Sequence, residues 1–468
     1  MEIRCLGTFL NHGYVWPEDT FVNALKTRKP DFIAGQGTNT DPGPGYLGRG
    51  QNIIPKMFVK KARTQLIVNA KKAGVPFFIS VGTSGCDDVL YGQEIEILEE
   101  IARENNIKLR IALISGEVGH DYVRKTMNSG IKIPRLIDHP RLSEFLTEKD
   151  ISESVRIVAQ MGHEPIMEVM DEGIDGVITG RAMDTALFMA MPCKRGFDKG
   201  LVAHMAKVME CGAIATTPKD PDDPPTNGSM DGIFGILKDD HFIVKPINPK
   251  QKCTIGSVLS HSFYERADPF FERMPGGALN IANAKYEQID EETVKISNSE
   301  WIEEDYTIKL EGVKSIGFRS ISLMGVRNPS TIKVLDTLTE RVKSRMKEEF
   351  APLKEGKDYQ LNFYVYGRDA ILGPIEPFRD SQPHEVGLLA EAIATSQELA
   401  TALVVNTRVC FTNQQFKGRI TTAGNESIPW SPSEPPLGEV HIFNVMHRMP
   451  LKNPCEPFKT QIIEFPRR

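Results

Sequence analysis

The sequence predicts an α/β protein, with an N-terminal, mainly parallel, Rossmann-like sheet flanked by helices and a C-terminal α+β domain. Three observations carry that prediction. Residues 1–215 alternate strand-like and helix-like segments at least four times. The strand-like runs in this half end in glycine-rich or polar loops, which right-handed crossovers would gather at one edge of the sheet. Beyond the proline- and aspartate-rich stretch Lys219–Asn227 (KDPDDPPTN), which reads as a linker or exposed loop, the strands begin to alternate. The expected division is 1–217, 228–414 and a loop-rich tail 415–468 packing on the rest.

Taken in order, Glu2–Leu6 reads as a strand ending at Gly7-Thr8, before a polar loop with Asn11 and His12. Asp31–Ala34 is a second strand, followed by GQGTNTDPGPGYLGRG, too long and glycine-rich for a simple turn. Phe58, Val59, Ala62, Leu66, Ile67 and Ala70 give 56–73 the spacing of an amphipathic helix. Val75–Val81 (VPFFISV) is an apolar run without alternation, as expected for a strand covered on both faces. It enters Gly82-Thr83-Ser84-Gly85, and a helix with Val89, Leu90, Ile95, Leu98 and Ile101 follows. Leu109–Ile114 is the next strand, ending at Ser115-Gly116-Glu117. A helix capped by Asp150 is expected to carry Ile151, Val155, Val158 and Met161. The strand and turn Asp175–Arg181 come next. The second half offers strands at Phe242–Pro246, Ala284–Gln288, Thr293–Ile296, Tyr306–Leu310, Ser315–Ile321, Gln360–Tyr366 and Glu385–Ile393, with helices at 331–350 and Ser396–Asn406.

At 468 residues, 40% hydrophobic and 25% charged, the chain has the composition of a globular protein of two or three domains. Its net charge of −6 gives no reason to expect nucleic acid or an anionic membrane as partner. Seven scattered cysteines, none in C-x-x-C, argue against a disulfide framework and for a cytoplasmic protein. No apolar run reaches the roughly 18 residues of a membrane span.

The chemistry is expected at the gathered strand ends. Asp175–Cys211 supplies strand, turn, cation and helix N-terminus, an anion-binding arrangement. Arg181 is the leading clamp for a substrate carboxylate, because its planar fork binds bidentately, with a salt bridge to Asp184 as the competing use. Gly82, Thr83, Ser84 and Gly85 could wrap N–H groups around an anion, and Gln36, Thr38 and Thr185 join the substrate-binding set. No Walker A loop is present and no G-x-G-x-x-G opens the first helix, so a dinucleotide has little support. On a helical wheel with His204 at zero, Lys207 and Cys211 fall at about 300° and 340°. That stripe suggests a general base whose proton affinity the neighbouring cation lowers. His204, Lys207, Asp184, Glu117 and Cys211 are the catalytic candidates; Asp41 and Asp87 are candidate ligands for a divalent ion such as Mg²⁺. His261, Tyr264 and Glu265, with Arg319, Arg327, Arg368, His384 and Glu385, are further polar candidates in the second half.

The stretches DPGPGYLG (41–48), GRAMDTALF (180–188), HMAKVMECGA (204–213), PGGALNIANAKYEQID (275–290), YTIKLEGVKSIGFR (306–319) and HEVGLLAEAIATSQELA (384–400) resemble the acyclic terpene utilisation AtuA family, formerly a domain of unknown function. Met183 departs from the small residue or cysteine expected there, leaving Arg181 and Asp184 in place. The resemblance implies a cytoplasmic catabolic protein, often with a small protein partner. The grouping of a cation with candidate bases, without a redox-cofactor fingerprint, leads us to expect an enzyme, a lyase of the hydratase/dehydratase type acting on a small carboxylate or its thioester, in a homo-oligomer. Alternatives are a hydrolase or acyl transferase using Ser84 or Cys211, and a non-catalytic metabolite-binding subunit of a carboxylase-type assembly.

Overall fold

A computed structural model of the chain describes residues 1–10, 16–225, 231–421 and 426–467; Asn11 and His12 lie outside the described residues. Two compact units are present: Met1–Lys314 with Phe443–Arg468, and Ser315–Ile442.

The first unit is built on a ten-stranded sheet. Its five middle strands, in the order Glu2–Phe9, Phe32–Gln36, Phe77–Ser80, Gly176–Thr179 and Leu109–Ile114, are all parallel. Unalternated apolar runs form these strands because both faces are covered. Phe32, Ala34, Phe78, Ala112, Ile114 and Val177 pack on one side with Leu187, Phe188, Val202 and Met205. Ile33, Phe77, Ile79, Ile111, Leu113 and Ile178 pack on the other with Leu66, Ile67, Leu98 and Ile101. The helices Lys56–Ala73 and Ile95–Glu104 therefore cover one face, and Ala186–Lys194 with Lys199–Met209 the other.

Antiparallel strands extend both edges of this parallel centre. Ile233–Lys238 pairs with Glu2–Phe9, and His241–Pro246, Thr293–Ser297 and Lys285–Asp290 continue outward. The domain boundary expected after residue 217 thus falls inside one sheet, and the exposed residues 220–224 form a loop between its strands.

Two further expectations give way to long-range pairing. The helix Glu148–Glu153 is capped by Thr147 in a capping box with Asp150, and it ends before Val155. Arg156–Ala159 is a strand instead, paired antiparallel with Leu310–Val313. The tail is not loop-rich throughout: Pro436–Pro450 is a fifteen-residue strand, and Thr460–Phe465 pairs with Leu109–Ile114 at the sheet edge. The strands expected at Tyr306–Leu310 and Ser315–Ile321 are one, Thr307–Val326.

In the second unit, Val386–Ala394 pairs antiparallel with Tyr359–Tyr366 and with residues 318–326. The helices Leu335–Glu349 and Gln397–Thr412, the latter capped by Ser396, complete a core around Leu338, Val342, Leu388, Ala390, Leu403 and Val404. Among the described residues no helix is long and apolar enough to cross a membrane.

Candidate functional site

Because four parallel strands lie side by side, the loops after Gln36, Ser80, Ile114 and Thr179 meet at one edge of the sheet, as expected. They are tied to one another tightly. Ser80 Oγ accepts the N–H groups of Gly37 at 2.7 Å and Thr38 at 3.0 Å. Arg181 N–H donates to Gly85 O at 3.0 Å, and Gly180 N–H to Ile114 O at 2.7 Å. Gly85, at φ +61°, is required by that approach: a Cβ would lie 2.4 Å from Arg181 N. A Cβ on Gly82 would meet Asn52, and Thr83 and Ser84 are buried. The Gly82–Gly85 loop is thus packed against its neighbours rather than open around an anion. Ser84 donates to the Cys86 thiol at 3.5 Å, a partner that is no base.

Asp87 accepts from Ser115 Oγ, and its own N–H donates to Glu117 Oε2 at 3.1 Å; burial raises both carboxyls. Asp41 stands apart from this pair, exposed, with Glu265, Arg181 and Asp184 as its charged neighbours. The two candidate metal ligands are therefore not brought together.

Arg181 is buried and fully engaged. Nε donates to Glu311 Oε2 at 2.7 Å and Nη2 to Oε1 at 3.4 Å. Nη1 reaches Thr38 O at 3.1 Å, Ala182 O at 3.0 Å and Asp184 Oδ1 at 3.3 Å. Burial alone would raise the Glu311 carboxyl, but Arg181 and Lys309 outweigh it and hold it at about 2. The fork expected for a substrate carboxylate is occupied by a carboxylate of the chain itself, 130 residues away. Gln36 Nε2 donates to Asp184 Oδ1 at 3.1 Å and Thr38 O at 2.6 Å, which ties the first loop to the same network. Thr185 Oγ1 lies 3.6 Å from Met274 Sδ.

The helix Lys199–Met209, capped by Asp198, is buried from Gly200 onward, so its polar stripe is enclosed as well as its apolar face. The stripe is also divided. His204 contacts Ser299 Oγ through Nδ1 at 2.7 Å, and Ser262 Oγ and Tyr286 Oη through Nε2 at 3.1 and 3.2 Å. Burial, and then Arg266, lower its pKa to about 3, so the ring is a neutral, fixed part of the core. Lys207 faces elsewhere, donating to Glu210 Oε1 at 2.6 Å and approaching Glu272 to 3.9 Å. Burial would lower the ammonium's proton affinity, but Glu210 and Glu272 reverse that, so the mutual depression expected of His204 and Lys207 does not occur. Burial lifts the Glu210 carboxyl well above the carboxylate range against the pull of Lys207.

Beyond Lys207 the helix Ile255–Ser262 brings in His261, stacked on Tyr264 at 5.5 Å between ring centroids. Donor atoms of Glu210, Cys211 and His261 lie within 4.8 Å of one another, the one such group of three among the described residues. Burial raises the Cys211 thiol, with Glu210 adding to it, and burial followed by Lys207 lowers His261 to about 4.

Glu265 and Glu272 connect this cluster to a cavity of about 500 Å³. Glu265 sits at φ +59°, a left-handed conformation that costs a non-glycine residue about 1–3 kcal/mol. Glu272 Oε2 meets Arg266 Nη2 at 2.8 Å, close enough for an ion pair but poorly aligned as a hydrogen bond. Arg135, Arg273, Lys309 and Arg448 supply four cations to the walls; Leu136, Met183 and Met274 supply the apolar surface. Three cations also pair with carboxylates, Arg135 with Asp138, Arg273 with Glu304 at 3.2 Å and Lys309 with Glu311 at 3.2 Å. Arg448 makes no ion pair among the described residues.

Residues 92–429, more than two thirds of the chain, match the family described as acyclic terpene utilisation family protein AtuA. The chain belongs to the AtuA family. That range holds the Arg181 turn, the His204 helix, the His261 helix and Glu311, while the Asp41 loop precedes it. AtuA membership implies a role in acyclic terpene utilisation. No curated protein and no solved structure matches the chain.

Glu311, Glu272, Arg266 and the cavity cations were not singled out from the sequence. Glu311 carried a signal, as the acidic residue of an otherwise apolar and basic strand, YTIKLEGVK. Lys309 lies in the same strand, where it reads as an ordinary exposed cation, and Arg135, Arg266, Glu272, Arg273 and Arg448 lie outside the motifs quoted above. Arg319, Arg327, Arg368, His384 and Glu385 belong to the second unit.

Proposed function

We propose that this AtuA-family chain is a catabolic enzyme acting on an acyclic isoprenoid carboxylate or its thioester, and that it is a hydro-lyase. The cavity carries the reading: four cations and a methionine–leucine wall in one space suit a molecule with an anionic end and a branched hydrocarbon chain. Methionine adapts to irregular apolar shapes, and arginine binds carboxylate or phosphate bidentately. Glu272, which opens on the cavity and backs onto Lys207 and Arg266, is placed to move the substrate's α-proton. In hydration, water oxygen bonds to the β-carbon and a proton to the α-carbon; dehydration reverses both. Arg181 and His204 hold the scaffold in this reading and touch no substrate.

The reading is tested by incubating the protein with α,β-unsaturated acyclic isoprenoid acids and their coenzyme A thioesters in oxygen-labelled water. Label on the carbon chain as a new hydroxyl is the expected result. Label confined to a released carboxylate would replace the lyase by a thioester hydrolase. Binding without product would make the chain a metabolite-binding subunit.

A further inference from the structure

Two buried polar atoms on residues grouped with Cys211 lack hydrogen-bond partners. Glu210 uses Oε1 for Lys207, while Oε2 has no hydrogen-bond partner. His261 Nε2 has none either. Their side chains are enclosed, at 1% and 3% exposure. Leaving a buried polar atom unsatisfied costs about 1–3 kcal/mol, and folded proteins do it rarely. Here a carboxylate oxygen of Glu210, a ring nitrogen of His261 and the Cys211 thiol lie within 4.8 Å of one another.

The convergence is built by the fold. Glu210 and Cys211 follow the last turn of Lys199–Met209, where the chain turns into the short helix Gly212–Ala215. His261 comes from the last turn of Ile255–Ser262, which the Thr254 capping box starts. One carboxylate oxygen, one thiol sulfur and one imidazole nitrogen are the ligand types that a borderline transition-metal ion takes. A cation satisfies all three.

We propose that Glu210, Cys211 and His261 bind a divalent transition metal ion of the Zn²⁺ class. The donor types decide the class. Mg²⁺ takes oxygen ligands, whereas nitrogen and sulfur favour borderline ions such as Zn²⁺. Tetrahedral ligand atoms stand about 3.3–3.8 Å apart at zinc bond lengths of about 2.0–2.3 Å, so the three side chains close by about 1 Å on binding. Lys207, donating to Oε1, orients the Glu210 carboxylate and leaves Oε2 for the metal. Glu272, Asp184 and Glu265 surround the group, so a dication beside Lys207 and Arg266 meets compensating charge. Three protein ligands leave one coordination position for water or substrate, the arrangement of catalytic rather than structural zinc. The ion expected from the sequence thus moves from Asp41 and Asp87 to a different place and a softer donor set.

The site concerns binding and does not depend on the hydro-lyase reading, so it is tested without turnover. Chelator-stripped full-length protein is titrated with Zn²⁺ and, separately, with Co²⁺. One equivalent of each is expected to bind, Co²⁺ giving a thiolate-to-cobalt charge-transfer band. Cys211→Ser should abolish the band, and Cys211→Ser and His261→Phe should each weaken Zn²⁺ at least roughly 100-fold, beyond the usual cost of losing an outer-shell partner. Far-ultraviolet circular dichroism of the stripped variants shows whether they are folded; Cys211→Ser, the smaller change, decides if His261→Phe is not. Absence of stoichiometric binding, unchanged affinity in a folded variant, or Mg²⁺ displacing Zn²⁺ at equal concentration would each overturn the proposal.

Discussion

The Arg181 network and the Glu210 cluster occupy one unit of the molecule, and both enclose charge, but they are completed to different degrees. Around Arg181 each donor has an acceptor: Glu311, Thr38 O, Ala182 O and Asp184. Around Glu210, one carboxylate oxygen and a histidine nitrogen have none. A residue type that invites a catalytic reading is therefore a poor guide by itself. Arg181 and His204, the most conspicuous polar residues of the sequence, are satisfied by the protein and hold it together. The less conspicuous Glu210 and His261 retain unmet bonding capacity, which is what a ligand needs.

If that contrast is right, the satisfied network answers to mutation with lost stability. Arg181→Ala should cost about 3–5 kcal/mol in urea unfolding, because it strands the buried Glu311 carboxylate. The double change Arg181→Met with Glu311→Leu should regain most of that loss, since no fully buried charge is then left without a partner and the two that lose one, Lys309 and Asp184, are partly exposed. A single-variant cost below about 1 kcal/mol would remove the distinction between the two regions.

The pH dependence sharpens the same contrast. His204 has a folded-state pKa of about 3 against 6.5 for the free side chain, so the unfolded chain binds the extra proton first. Its contribution to stability is complete above pH 6.5 and is lost as pH falls towards 3. The expected slope is about 1.4 kcal/mol per pH unit for this one group. His204→Asn should flatten the acid limb of the unfolding free energy by about one proton across that window, whatever it does at pH 7. An unchanged limb would mean that His204 titrates alike in both states.

The smallest effect on folding is expected at the cavity rim. Arg273→Ala should alter stability by no more than about 0.5 kcal/mol, while weakening an anionic ligand in a salt-dependent way. Binding by the variant that equals the parent's at both low and high salt would take Arg273 out of the ligand's surroundings.

How far all this was legible in the sequence follows from the range of the interactions. VPFFISV and LRIALI announce buried parallel strands because their apolar runs are local, and the strand-end loops follow from connectivity. Arg156–Ala159 reads equally well as the continuation of a helix until its partner Leu310–Val313 is known. Arg181 stood out, yet its occupant is Glu311, and nothing in GRAMDTA tells that a carboxylate arrives from another strand. His261 was visible as a polar candidate in SHSFYE, and Cys211 as part of a stripe. Their meeting depends on how two helices pack, which no spacing within either helix records. The wheel also placed His204 and Lys207 together, although neighbouring elements surround each differently.

The most direct test is the unfolding free energy of the metal-free His261→Phe protein. Phenylalanine can keep the stack on Tyr264 while removing the nitrogen that has no partner. If His261 is held for a ligand rather than for the fold, the variant should be as stable as the parent or more stable by about 1 kcal/mol. A loss above about 2 kcal/mol, of the kind expected for Arg181→Ala, would show that His261 belongs to the scaffold and would contradict the account.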